Sequence, residues 1–259
     1  MSKKVVFEKH GAIAKIILNR PESLNALDND MIADILLYLK QSKQDDEIRV
    51  VCLKGMGKAF CAGDDLIDMG TEENPNPSNK LTEYMDGYPA IVKAMRALEK
   101  PIIAQVHKYA LGAGLEIALA SDFIIASKET KFGLPFVLRG LSSGTVLLQE
   151  QLGYHLAARY LYTGDMFSAE DAKSWNLLYK VTELNELEET TAELAEILEK
   201  SATRAIGLMK TAMHKSRNIG LEEALQVQVY STLGSFHTED YKEGVQSFME
   251  KRKSNFVGK

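Results

Sequence analysis

Over the first ~180 residues, short apolar runs bounded by turn residues alternate with helix-like segments, and few architectures accommodate that alternation. Residues 5–8 and 12–18 read as two strands joined at His10-Gly11. Asn19-Arg20-Pro21 ends the second, because proline cannot donate to a ladder. From Asp28 onward, Met31, Ile32, Ile35, Leu36 and Leu39 recur at helical spacing, with Asp28 placed as N-cap. A strand at 49–53, a helix at about 84–98 and strands at 102–106 and 122–126 follow, with a strand-to-turn-to-helix passage at 109–116 between the last two. The class is α/β.

Beyond Glu186 the composition changes. Segments 186–200, 201–216, 220–236 and 238–252 are helix-like and rich in Ala, Leu, Glu and Lys. In the third, Leu221, Ala224, Leu225, Val229, Leu233 and Phe236 form one apolar stripe, as core or interface packing does. The polar, proline-containing stretch 71–80 reads as a surface loop. Ser168 is placed to cap a short helix, with Trp175 just beyond as a packing residue.

Several function classes are excluded early. With 259 residues, 45% of them hydrophobic, the chain can bury ~70–75% of its unfolded surface without a disulfide or metal staple. A net charge of −5 argues against a dedicated nucleic-acid binder, though not against an anion held by a local basic patch. The apolar run near the N-terminus is broken by Glu8, too early for a signal peptide, and no window approaches the ~18–20 apolar residues of a membrane span. Cys52 and Cys61 have no CxxC or metal-ligand spacing and read as free thiols of a cytoplasmic protein.

Two glycine-rich stretches are the candidates for chemistry. Gly112-x-Gly114 runs on to Ile117 and Gly55-x-Gly57 to Phe60, where a dinucleotide fingerprint needs a small residue, and no GxxxxGK[ST] occurs. A helix beginning just after Gly112-Ala113-Gly114 would instead present unpaired N–H groups and its positive dipole end to a ligand. If the Gly63-Asp64 turn supplies a second N–H, the two make an oxyanion hole. The alternative on spacing alone is a pair of tight turns.

Four segments in order carry a family resemblance: Leu18-Asn19-Arg20-Pro21 with Asn25-Ala26-Leu27; Lys58 to Leu66, KAFCAGDDL; Ala110 to Glu116, ALGAGLE, with Ser121-Asp122; and Phe132-Gly133-Leu134-Pro135. They resemble the enoyl-CoA hydratase/isomerase (crotonase) family over nearly the full length. The resemblance implies a crotonase-like spiral of ββα units over 1–200 and a C-terminal helical trimerisation region over 201–259, in a homotrimer or dimer of trimers. It also implies an acyl-CoA thioester substrate, with coenzyme A arriving as part of that substrate and no metal or redox cofactor. The thioester oxygen would sit between the backbone N–H groups of Asp64 and Ala113, and CoA would lie along Lys58, Ala62, Asp65 and Leu66. Arg20 would border the CoA phosphates, and Gly112 and Phe136 would line the substrate site.

Carboxylates decide the reaction. Glu116 matches the first acid/base glutamate of the hydratases. The position of the second, after the proline of the Phe132 motif, is Phe136, and the following Gly140 to Thr145 stretch offers no substitute acid. Three readings stay open: Glu116 alone serves hydration or isomerisation; the oxyanion hole supports a decarboxylation; or the protein binds acyl-CoA with little turnover. Among other candidates, His107 is expected to be a satisfied buried histidine, and Lys108 stands where the family usually has glycine. Asp65 and Asp68 are expected to be solvated loop acids, and Tyr84 and Tyr88 to serve in packing.

Overall fold

A computed structural model describes residues 3–65 and 85–259. Strands β1 (Val5–His10) and β2 (Ile13–Leu18) form the expected antiparallel hairpin, with Val5 opposite Leu18. Strands β3 (Val50–Gly55), β4 (Ile102–Val106), β6 (Phe123–Ser127) and β9 (Lys180–Thr182) then add in parallel, giving a six-stranded sheet of order β1-β2-β3-β4-β6-β9. A second sheet holds β5 (Tyr109–Leu111), β7 (Lys131–Gly133) and β8 (Met166–Ser168). Single bridges, Cys61 to Ala110 and Leu27 to Asp64, extend this layer across the segments that follow β3 and β2. Each turn of the chain therefore leaves one strand in the first layer and a shorter extended piece in the second, as a spiral of ββα units requires.

Both faces of the large sheet are covered, which is why its parallel strands are continuous apolar runs. On one face Val51, Leu53, Ile102 and Ala104 join the main core with helices α1 (Asn29–Gln44), α2 (Tyr88–Arg96) and α3 (Ala113–Ala120). On the other, Val50, Cys52, Ile103 and Ile125 pack on Leu187, Leu194, Ala195 and Leu198. Asp28 caps α1 as the spacing predicts, its carboxylate accepting from Met31 N at 2.9 Å. Three fully buried phenylalanines, Phe60, Phe132 and Phe167, each contribute roughly 1.5–3 kcal/mol.

Short helices α4 (Leu147–Leu152), α5 (Tyr154–Thr163) and α6 (Ala169–Ser174) follow. The α6 cap is reciprocal, Asp171 N donating to Ser168 Oγ at 3.0 Å and Ser168 N to the Asp171 carboxylate at 3.0 Å. Trp175 packs against Tyr160 and Phe167, the structural role expected of it. The four C-terminal helices fall where composition places them: α7 (Leu187–Glu199), α8 (Thr203–Lys215), α9 (Leu221–Ser235) and α10 (Glu239–Glu250). Arg49 ties this region to the sheet, donating to Thr203 Oγ1 at 3.0 Å and to the Phe256 carbonyl at 2.9 Å. The α9 stripe differs from a core stripe. Leu221 is 78% exposed, and Leu225, Val229, Leu233 and Phe236 are exposed with it.

Candidate active site

The site forms where the second layer meets the start of α3. Leu27 N donates to Gly63 O at 2.8 Å and Asp65 N to Leu27 O at 2.9 Å, so this parallel bridge passes over Asp64 and leaves its amide directed away from the ladder. Ala113 opens α3, and its N–H is among those a helix leaves without an internal partner. Among the described residues neither amide donates to a backbone carbonyl. The two loops are in contact: a Cβ built on Gly63 would stand 3.6 Å from Ala113 N and 3.0 Å from Leu111 O. Gly112, at φ 52° and ψ −127°, occupies a conformation that side chains disfavour, and this turn aims the Ala113 amide. Spacing alone left two tight turns as the alternative. The approach of the loops favours a shared hole.

The two loops are braced from behind. Asn25, fully buried at φ 56°, donates to Met56 O at 2.9 Å and Ala59 O at 2.8 Å, and accepts from Arg20 N at 2.8 Å. Ala62 N donates to Leu24 O at 3.0 Å. Arg20 pairs with Asp65 and also donates to Ala26 O at 3.2 Å. This corrects the expectation of a solvated Asp65: the residue is 6% exposed, and its carboxylate is the buried counter-charge that fastens the 20–28 turn to the 61–65 loop.

Glu116 lies in the first turn of α3, its N–H bonded to Gly112 O at 3.1 Å. It is 4% exposed, and its Oε1 is the one buried side-chain polar atom without a hydrogen-bond partner among the described residues. Burial pushes its carboxyl up to about 7; Arg96 acts against that shift and Glu150 adds to it. These two charges carry no motif, and sequence reading missed them. Arg96 is itself held, donating to Glu150 at 3.1 Å and bonded to His214 Nδ1 at 3.0 Å. A buried acid poised near neutrality can both take and give a proton. The half-buried Asp64 carboxyl is pushed up to about 6 by burial, against the effect of its own backbone N–H.

Phe136 sits in the short turn Pro135–Arg139, with its ring against the Gly112 turn. A Cβ on Gly112 would lie 3.5 Å from its Cζ, and one on Gly144 3.1 Å from its Cε2. The position that bears the family's second glutamate therefore does face the site, and here it supplies a dry surface. Tyr88, buried at the start of α2, bonds Ser143 Oγ at 2.8 Å, linking that helix to the loop after Phe136. His107 is half-buried rather than buried, with Nε2 at 3.0 Å from the Gly57 carbonyl, and so is satisfied away from the acyl site. Lys58 is exposed on the same 55–60 turn. Leu66, Asp68 and Tyr84 lie outside the described residues.

Known proteins resemble this chain over nearly its whole length. Residues 8–259 match the family described as Enoyl-CoA hydratase/isomerase. A 1,2-epoxyphenylacetyl-CoA isomerase of Escherichia coli is 34% identical, with 95% of each chain covered. A (E)-benzylidenesuccinyl-CoA hydratase of Thauera aromatica is 37% identical, over 98% of this chain and 99% of that one. A crystal structure of an enoyl-CoA hydratase subunit from Geobacillus kaustophilus superposes with a TM-score of 0.91 at 33% identity, covering 100% of both chains. The chain belongs to the enoyl-CoA hydratase/isomerase family.

Proposed function

We propose that this protein hydrates or isomerises an enoyl-CoA, with Glu116 as its only glutamate acid/base and the Asp64 and Ala113 amides holding the thioester oxygen. The observation that carries the reading is the unpartnered Glu116 Oε1, buried one helical turn from an unpaired amide pair. In isomerisation the carboxylate removes a proton beside the carbonyl or its vinylogous position, the two amides stabilise the enolate, and the same acid returns the proton elsewhere. In hydration it activates water and delivers the proton to the α-carbon. Each backbone donor is worth about 2.7–4 kcal/mol to such a transition state. Named relatives of both reaction types support proton transfer over decarboxylation or binding without turnover.

No metal or redox cofactor enters this chemistry; coenzyme A comes with the substrate along Lys58, Ala62 and the Asp65 turn. The exposed apolar residues of α9 support self-association, as a trimer or dimer of trimers. Both cysteines are buried, and burial pushes each thiol up to about 12, which suits free thiols in the cytoplasm. The test is a panel of 2-enoyl, 3-enoyl, aryl-bearing and malonyl-type CoA thioesters followed by mass and absorbance. Gain of water, or an absorbance change at constant mass, is the expected result. Loss of carbon dioxide, or binding without product, would overturn it.

A further inference from the structure

Helix α8 is fastened to the body along one stripe. Thr203, Gly207, Lys210 and His214 recur at helical spacing on one face, and the first three are buried. Thr203 Oγ1 accepts from Arg49 Nε at 3.0 Å. A Cβ on Gly207 would overlap the Glu99 carbonyl, so the helix backbone rests directly on the turn before β4. Lys210, 6% exposed, donates to the Asp122 carboxylate at 2.7 Å, and Asp122 in turn accepts from Ile102 N at 2.8 Å. The stripe ends on half-buried His214, whose Nδ1 lies 3.0 Å from an Nη of Arg96 on α2. A guanidinium stays protonated and has only donors, so this bond exists only while Nδ1 keeps its lone pair. The contact therefore requires a neutral imidazole with its proton on Nε2.

We propose that His214 is an acid-released latch: neutral, it receives Arg96 and holds the last turn of α8 on the body; protonated, it loses that bond, meets three cations and frees the turn that leads into α9. The charges around it, among the described residues, oppose a further proton. Arg96 on α2 and Arg217 beyond α8 share Glu150 on α4, and Lys210, one turn back, has Asp122, so two carboxylates already answer three cations. Burial opposes the charged form most, and Arg96, Lys210 and Arg217 add to it; Asp122 and the carbonyl end of the helix act the other way. The balance holds the imidazole below its ordinary 6.5. The Gly207 contact and the Arg49–Thr203 bond involve no group that changes charge between pH 5 and pH 8, so release starts at the His214 end. The latch does not depend on which substrate the active site takes.

The test is hydrogen exchange of the whole protein at one concentration, read by mass spectrometry with exchange times scaled for the intrinsic effect of pH. Opening returns the imidazole to its ordinary value of 6.5, so each pH unit below that favours the open form about tenfold while the closed form stays neutral. In wild type the opening constant over 208–216 is expected to rise about tenfold from pH 7.5 to pH 5.5, while that of α7 changes little. His214→Asn and His214→Gln each set an uncharged amide oxygen within reach of Arg96, and protection over 208–216 should then be the same at both pH values. Unchanged protection in wild type, a fall shared by α7, or a fall retained in both variants overturns the latch. The imidazole resonance that the variants remove gives a second reading in wild type. It should titrate below 6.5, and a midpoint at or above that value overturns the latch as well.

Discussion

Replacing Glu116 by glutamine is expected to slow turnover and to stabilise the protein in a pH-dependent way. In the unfolded chain this carboxyl loses its proton near 4.5, whereas burial holds it in the folded state up to about 7. Between those values the folded state binds more protons than the unfolded one, so this group lowers stability as pH rises from about 4.5 to about 7. Above that range the loss is complete and amounts to about 3 kcal/mol. Glutamine cannot ionise, so the cost disappears. Its amide meets the same shortage of partners that leaves Oε1 unpaired, a loss of about 1 kcal/mol at every pH.

The two effects separate in thermal melts at a fixed protein concentration. At pH 5 Glu116→Gln melts at or slightly below wild type; at pH 8 it melts several degrees above, given about 2–4 °C per kcal/mol for a chain of this size. Turnover of a 2-enoyl-CoA falls more than about 100-fold, the usual scale for a general acid/base, with little change in substrate affinity. A difference in melting temperature that is the same at pH 5 and pH 8 would refute the claim that burial sets this carboxyl's protonation. An unchanged turnover would remove Glu116 from the chemistry.

Gly112→Ala forces a side chain into φ 52°, ψ −127°, which costs about 1–3 kcal/mol, and tilts the Ala113 amide. Its kcat/KM should drop about 100-fold, and an unaltered value would show that this amide is not a donor. Lys108→Gly relieves a left-handed lysine at φ 59° and should raise the unfolding free energy by about 1 kcal/mol, read as a higher urea midpoint at unchanged m-value; a lower midpoint would contradict that strain. Phe136→Glu places a second acid against Gly112 and Gly144 and should increase hydration of 2-enoyl-CoA, read as loss of enoyl absorbance. No gain would mean that position 136 alone does not restore the two-acid site.

Much of this was legible in the sequence because it rests on local signals. The Asp28 cap, the Ser168 capping box, the apolar strands and the four terminal helices each depend on residues within a few positions of one another. The turns proposed to carry the oxyanion donors were legible too, since Gly63 and Gly112 mark them and both stand at positive φ. What escaped is what sequence distance hides. Asp65 lies 45 residues from Arg20, and nothing in its own neighbourhood distinguishes a solvated loop acid from a buried counter-charge. Arg96 and Glu150 come to bear on Glu116 from two other helices, with no shared motif. The α9 stripe shows the opposite limit. Helical spacing reports that a face is apolar, not what covers it, and here the described chain leaves it exposed.

The division of labour in the site explains why those escapes did not obscure the chemistry. Charge stabilisation is assigned to two backbone amides, and backbone groups are held by glycine turns and by the Asn25 bonds, whatever side chains stand nearby. Substitution at positions 64 and 136 can therefore change the acids of the site without moving the hole. Phe136 stands at the position that the resemblance gives to a second glutamate, so a dry ring and not a carboxyl lies against Gly112 and Gly144. On the proposed reading one base, Glu116, then does all the carbon chemistry: in isomerisation it takes a proton and returns it, and in hydration it both activates water and supplies the proton of the α-carbon. Either task asks one group to change its protonation state twice in a cycle, which a carboxyl that burial pushes up to about 7 does more readily than one ionised throughout the neutral range.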